Sequence, residues 1–346
     1  VAFALYPFAS ELFKKSNIPK RLIPGTIALG AFTFTMDALP GTPQIQNIIP
    51  TAFFKTNTWA APWLGLIGGL FILIVGMLYL EWRRRKAKNA GEGYGAGHIN
   101  EPDEITSDSI PNALLAVLPL LLVGVCNKLF TFYINKNYGV SFDFSALSIV
   151  GIAPVEVPKM AAIWAVEAAL VVGILAVLLL AFRRVKINIK HQINISIGGA
   201  LLATLNTASE YGFGGVIAAL PGFKLLNESL SSTVKDPLAN EAITITTLAG
   251  ITGSASGGLS IALASMSETY LASAAKVGIT PDVLHRVASM ASGGMDTLPH
   301  NGAVITLLAI TGLTHRQSYG DIFAMTLIKT VAVAFVIGIY YSTGIV

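Results

Sequence analysis

Long runs of apolar residues alternate with short polar segments along the whole chain. A helix that crosses the hydrocarbon core of a bilayer needs about 20 largely apolar residues. Three runs meet this requirement, at 63–82, 111–133 and 160–182. A fourth span is predicted at 322–341, and a fifth at 193–211, where polar residues interrupt the run. The pattern therefore predicts an all-α polytopic membrane protein.

Three further stretches are apolar overall but contain many Gly, Pro, Ser and Thr residues. We expect discontinuous transmembrane helices at 22–55 and 285–313 and a re-entrant hairpin at 242–272, because such composition interrupts helices at membrane depth. The predicted hairpin tip, 250–258, has four glycines and three hydroxyl residues. It is typical of a substrate-binding loop, although a close crossing of two helices would also use small residues.

Composition excludes several other classes of protein. Hydrophobic residues make up 53% of the chain and charged residues only 12%, against about 25% charged in soluble domains. The net charge of +4 is concentrated beside apolar runs, which indicates membrane topology and argues against nucleic-acid binding. The single cysteine excludes a disulfide framework and a multi-cysteine metal site. Because the apolar segments contain no HExxH or GxSxG motif, we expect neither an enzyme nor a bound cofactor or metal.

The basic clusters also predict orientation, because positively charged loops stay in the cytoplasm. Residues 14–21 hold four Lys and Arg, residues 83–88 hold five, and residues 183–190 hold four. Placing these clusters inside makes every predicted span alternate in direction. Residues 83–110 are then a polar cytoplasmic linker between two halves of the chain, for which a disordered connector is the alternative.

An internal repeat relates the two halves. Residues 36–40, MDALP, match residues 295–299, MDTLP, at four of five positions. With the basic clusters in the cytoplasm, the two copies run in opposite directions, which is the inverted-repeat architecture of secondary transporters. We therefore predict that 1–82 is the C-terminal part of one repeat and that 111–346 is the second repeat. Pro40 and Pro299 are expected to break the two helices near the membrane midplane.

Such breaks predict the chemistry of the site. Half-helix N-termini that face a cavity bind anions, so the expected ligand is a small organic anion. Neutral groups near the breaks and the hairpin tip are candidates to bind it, although the amides could instead satisfy broken backbone. The substrate-binding candidates are Gly41, Thr42, Gln44, Asn47, Ser254, Ser256, Gly257, Gly258, Asn301 and Gly302.

Carboxylates at membrane depth are expensive and therefore functional candidates. Asp37 and Asp296 lie beside the two breaks and are predicted to carry protons, with capping of a half-helix as the alternative role. His300 could relay a proton or bond a freed carbonyl.

The runs at 18–36, 39–50 and 294–306 resemble the gluconate permease family, within the ion-transporter superfamily. The resemblance implies a proton-coupled symporter that imports sugar acids or short hydroxycarboxylates across the bacterial inner membrane, and a homodimer. It places an acid more firmly at Asp296 than at Asp37. It also implies that roughly the first 100 residues of a typical member are missing from this chain.

Other branches of the superfamily leave an alternative open, namely a sodium-coupled carboxylate transporter or a cation/proton antiporter. Sodium prefers several carbonyl and hydroxyl oxygens as ligands. Thr42, Asn47, Ser254 and Asn301 could supply them.

Overall fold

The computed structural model describes residues 2–42, 44–102, 112–147, 151, 154–182, 186, 189–222, 225, 229 and 233–346. Nearly all regular structure in them is helical, which confirms the all-α prediction. The helices are α1 Ala2–Lys15, α2 Ile23–Ala31, α3 Phe34–Asp37, α4 Ile45–Phe54, α5 Pro62–Asn89, α6 Ala113–Asn137, α7 Val157–Leu180, α8 Ile189–Ala219, α9 Pro237–Thr252, α10 Ala255–Lys276, α11 Pro281–Ser292, α12 Gly302–Thr311 and α13 His315–Thr343.

Within the described residues, four helices are long and apolar enough to cross a membrane. They cover Pro62–Asn89, Leu114–Asn137, Ile163–Leu180 and His315–Thr343. The span predicted at 193–211 lies in α8, where only the shorter stretch Ser196–Asn206 is apolar. The chain is thus a multi-pass membrane protein, while the inverted relation of its two halves stays a prediction.

The chain divides into two compact units, which are residues 1–102 together with 199–346, and residues 103–198. In the smaller unit, α6 packs along α7, and Gly173 allows close approach to Val123. A two-stranded antiparallel ribbon pairs Ser141–Phe142 with Val155–Glu156 between these helices. Most apolar side chains of α6 are exposed, as expected for a surface in contact with lipid.

The larger unit contains two discontinuous helices. The first consists of α2, α3 and α4, with non-helical residues 38–42 and 44 before α4, and the second consists of α11 and α12, joined by 293–301. Pro40 and Pro299 both lie inside these connections. The helical segments before them end earlier, at Asp37 and at Ser292. Gly293 and Gly294 follow Ser292, and glycine costs a helix about 1 kcal/mol relative to alanine.

Helices α9 and α10 form a hairpin over the segment predicted at 242–272. Gly253 ends α9 with a left-handed φ of 67°, a conformation that glycine adopts without strain. Ser254 is the N-cap of α10, and its side chain accepts a hydrogen bond from the Gly257 amide. A Cβ on Gly258 would lie 2.4 Å from the Ala249 nitrogen. Gly258 therefore permits a close crossing of α9 and α10. This is the alternative role considered above for the small residues at this tip.

The predicted linker, 83–110, is only partly a connector. Residues 83–89 continue α5, and residues 90–102, which we call the strap, fold back on the larger unit. Lys20 is buried and forms an ion pair of 2.6 Å with Glu101. Its Nζ also donates to the Ile99 carbonyl at 2.8 Å. Residues 90–102 are therefore not a disordered connector.

The strap also contacts the second broken helix. The Asn100 amide donates to the Ala309 carbonyl at 2.8 Å, and Ile99 packs against Gly312 at the end of α12. At the other end of the strap, Arg21 donates to both oxygens of Glu92 at 2.6 Å. These contacts hold α12 and the segment before α2 to one strap.

We predict that Gly258→Ala destabilises the protein, because a methyl group forced into a close-packed crossing costs about 1–3 kcal/mol. The measurement is the thermal unfolding midpoint in detergent. Gly338→Ala is the matched control, since no atom lies within 4 Å of a Cβ placed there on α13. A Gly258→Ala midpoint equal to that of the control would contradict the close crossing.

We also predict that acid loosens the strap. The hydrogen bonds from Arg21 hold the pKa of the Glu92 carboxyl below its ordinary value. A carboxyl with a depressed folded-state pKa contributes stability above its unfolded pKa, and loses it as the pH falls through the folded-state value. Hydrogen exchange of residues 90–102, corrected for intrinsic rates, should therefore rise below about pH 4, and not between pH 5 and 8.

Glu92→Gln should weaken this pH dependence, whereas Glu268→Gln, at an exposed acid of the hairpin, should leave it unchanged. Equal protection of the strap at pH 3 and pH 7 in the wild type would argue against the ion pair as its anchor.

Candidate functional site

The two broken helices meet at residues that precede their Leu-Pro dipeptides. A Cβ on Gly293 would lie 1.8 Å from Oδ2 of Asp37, so a larger residue there would displace the Asp37 carboxylate. One helical turn earlier, the Ser289 hydroxyl donates to the Asp37 carbonyl at 2.8 Å. The start of the second break therefore packs directly on the end of α3.

A lysine from the last helix joins the two breaks. Lys329 of α13 is 1% exposed, and its Nζ donates to the Phe32 carbonyl at 2.9 Å. The same ammonium forms an ion pair with Asp296. We call Phe32, Asp37, Gly293, Asp296 and Lys329 the break junction. One buried cation thus contacts the main chain of one break and the carboxylate of the other.

The two acids of the junction differ in their partners. Asp296 is paired with Lys329. Asp37 is 1% exposed, and neither of its carboxylate oxygens has a hydrogen-bond partner within the described residues. Within the described residues, neither carboxylate caps a half-helix. Capping, the alternative role considered for these acids, therefore applies to neither of them.

Arg286 is a second fully buried cation, and main-chain carbonyls surround it. Its guanidinium donates to the Ala60 carbonyl at 2.8 and 3.1 Å and to the Ala38 carbonyl at 3.1 Å. It also donates to the side-chain oxygen of Asn47 at 3.1 Å. Arg286 therefore satisfies carbonyls in the non-helical segments on either side of α4, of which Ala38 belongs to the first break, as membrane depth requires.

Hydroxyl and imidazole groups satisfy the freed carbonyls of the second broken helix. Thr246 donates to the Ala291 carbonyl at 2.9 Å, and Thr330 donates to the Gly294 carbonyl at 2.8 Å. The His315 ring is 2.9 Å from the Pro299 carbonyl. Backbone at a break is thus covered by protein, which is the condition under which a broken helix is stable in a bilayer.

The hairpin tip reaches the second break. Asn301 donates to the Gly253 carbonyl, and its side-chain oxygen caps α12 by accepting from the Val304 amide at 2.9 Å. The exposed His300 ring packs on Gly253. Asn301 therefore satisfies backbone in this structure, and His300 contacts the hairpin tip.

Of the remaining candidates near the first break, two make contacts within the protein and one is exposed. Gly41 has a φ of 73° and packs against the Trp59 ring. Asn47 donates to the Thr42 and Thr58 carbonyls at 2.9 and 3.0 Å, so its amide satisfies broken backbone. Gln44 precedes α4 and is exposed.

Near the hairpin tip, Ser256 is half-buried and Gly257 is buried. The Ser254 hydroxyl is used as the cap of α10. Gly302 begins α12, directly after Asn301. Within the described residues, no three His, Cys, Asp or Glu side chains come together as potential metal ligands.

Sequence reasoning missed several buried charged residues. Among them, Lys329, Arg286 and Glu241 are each at most 1% exposed. A signal for Lys329 was present, because it is the single charged residue in the predicted span 322–341, and a charge inside a span is a functional candidate by default. Neither carboxylate oxygen of Glu241 has a hydrogen-bond partner among the described residues.

One curated relative establishes the family. The chain is 60% identical over 354 residues to "Uncharacterized transporter YxjC" of Bacillus subtilis (strain 168), across all of this chain and 75% of the relative. Neither a family profile nor a solved structure matches the chain. The chain belongs to the family of this Bacillus subtilis protein, and it is a membrane transporter.

We predict that Arg286→Met strongly destabilises the protein. Removing the guanidinium leaves several buried carbonyls without donors, and breaking a buried charged network costs about 3–5 kcal/mol. Thermal unfolding in detergent measures this loss. Arg85→Met is the control, because Arg85 is exposed and pairs with Glu81 one turn away on the surface of α5, a contact worth under about 1 kcal/mol. Similar midpoints for both variants would contradict the role given to Arg286.

Proposed function

We propose that the protein is a proton-coupled symporter that imports a small organic anion, such as gluconate, another sugar acid or a short hydroxycarboxylate. The observation that carries the proposal is the break junction, where two buried acids and a buried cation meet between two discontinuous helices. Discontinuous helices that meet at one site are the arrangement by which secondary transporters bind substrate and coupling ion. We further propose a homodimer in the bacterial inner membrane that works by alternating access.

Asp37 supports coupling to protons. An ionised carboxylate without a partner is very costly to bury, whereas a protonated carboxyl group is much less so. Asp37 is buried and has no partner among the described residues, so it is expected to hold a proton in this conformation. Asp296 is balanced by Lys329 and can take a proton when that pair opens.

The first break also offers a position for an anion. Helix α4 is ten residues long, and no side chain caps its N-terminus at Gln44. The uncapped amides of a helix N-terminus attract negative charge. By contrast, Asn301 caps α12. Of these two half-helix N-termini, that of α4 is therefore the one left open to a polar group of the substrate.

The proposal predicts uptake driven by a proton gradient. Purified full-length protein in liposomes should accumulate labelled gluconate or 3-hydroxybutyrate when an inward proton gradient is imposed, and a protonophore should abolish accumulation. Sodium is varied at fixed pH in parallel. Accumulation that requires sodium and ignores the protonophore would replace proton coupling by the sodium-coupled alternative, and absence of uptake for both acids would reject the substrate class.

Neutralising the junction acids should uncouple transport. Asp37→Asn and Asp296→Asn should each reduce gradient-driven accumulation at least about tenfold, because neither amide can carry a proton, while substrate exchange between equal concentrations persists. Glu268→Gln, at an exposed acid of α10, is the control and should accumulate normally. Normal accumulation by either junction variant would remove that acid from the coupling site.

A further inference from the structure

Lys329 differs from the other buried cations in the groups that accept its hydrogen bonds. Arg286 donates mainly to main-chain carbonyls, which cannot leave without unfolding the first break. Lys20 is paired with Glu101 of the strap. Lys329 shares its three donors between one carbonyl, of Phe32, and one carboxylate, of Asp296. A carboxylate on a flexible side chain is a partner that another carboxylate can replace.

We infer that Lys329 is the receptor for the substrate carboxylate, and that Asp296 occupies this receptor when substrate is absent. The inference rests on the proposed function and adds to it the group that binds the substrate's charge. Other polar groups lie within one turn of the pair. The Thr330 hydroxyl binds the Gly294 carbonyl, and the hydroxyls of Thr297 and Thr326 are 2.7 Å apart. They are suited to the hydroxyl groups of a hydroxycarboxylate.

The exchange conserves charge. When a monocarboxylate pairs with Lys329, the Asp296 carboxylate loses its cation in a buried site, where an unpaired charge is costly. Asp296 then takes one proton from the aqueous side, forming an O–H bond on its carboxylate. No other bond changes in this exchange, in which one negative substrate binds with one proton. The site therefore keeps its total charge when a monocarboxylate replaces Asp296 on Lys329.

The charged groups around Lys329 are compatible with this exchange. Asp37 and Asp296 face the ammonium from the two breaks, and Arg286 of α11 interacts electrostatically with Asp37. On α13, Asp321 is already paired with Arg83 at 2.6 Å and accepts a hydrogen bond from Tyr79. Asp296 is therefore the acid whose ion pair substrate can open.

The test is the pH dependence of binding by the full chain in detergent, with labelled gluconate and 3-hydroxybutyrate as probes. Coupling to one proton should weaken wild-type binding about tenfold for each unit rise in pH between the pH at which Asp296 ionises in the free protein and the higher pH at which it ionises with substrate bound. A weakly buffered indicator should show about one proton taken up for each carboxylate bound. The neutral probe 3-hydroxybutyramide should not compete.

Two variants separate the roles. Asp296→Asn should bind both acids with an affinity that does not change with pH, since no internal carboxylate competes for Lys329. Lys329→Met should lose at least about 30-fold in affinity, and Lys329→Arg should recover part of it. Lys55→Met, at an exposed lysine after α4, is the control. Thermal unfolding of each variant confirms that the protein is folded.

Three results would overturn the inference: unchanged binding in a folded Lys329→Met protein, a pH dependence in Asp296→Asn equal to that of the wild type, or competition by the neutral amide. Each of these leaves gradient-driven uptake by the wild type intact, so the proposed function survives. If the wild type binds neither acid and shows no gradient-driven uptake, the proposed function fails and the inference fails with it.

Discussion

The structure depends on how main-chain carbonyls are satisfied where two helices are interrupted inside a membrane. A carbonyl without a donor in hydrocarbon costs several kcal/mol, so a break is stable only if the protein supplies donors. Here the donors are largely cationic or hydroxyl side chains that lie far away in sequence. Arg286 reaches back to the carbonyls of Ala38, in the first break, and of Ala60, after α4. Lys329 of the last helix reaches the carbonyl of Phe32, directly after α2.

This constraint explains why the two breaks lie together. Cations that satisfy carbonyls bring charge into the membrane, and that charge in turn requires carboxylates or oriented dipoles nearby. Asp296 balances Lys329 directly. Asp37 lies where Gly293 permits close approach of the two segments. The arrangement that stabilises the interrupted backbone thus also gathers the groups able to bind a proton and an anion.

Much of the architecture could be predicted from sequence because it depends on local properties. Apolar length gives the spans, and clusters of Gly, Ser and Thr give the hairpin and the interruptions. The bounds of the breaks are harder to predict. The prolines indicate where each helix is interrupted, but α11 ends at Ser292 before two glycines, and Pro299 lies further along the connection.

The site was predicted only in part, because its pairing is not local. The acids Asp37 and Asp296 stand out from their apolar surroundings, but nothing in the order of residues says that Lys329 reaches one of them and leaves the other alone. The amide of Asn47 illustrates the opposite case. Its residue type suits a ligand contact, yet the folded chain uses it for the carbonyls of Thr42 and Thr58.

Arg286 binds mainly peptide oxygens, and this affects which positions can change residue type during evolution. A peptide oxygen is present whatever side chain the residue carries, so the guanidinium itself does not fix the residue type at Ala38 or Ala60. Both positions are buried, which limits them to small side chains. The arginine has less freedom, because few side chains span the same distance with as many N–H groups. Divergent copies of this transporter should therefore keep the arginine while small residues replace one another at the positions that accept its hydrogen bonds.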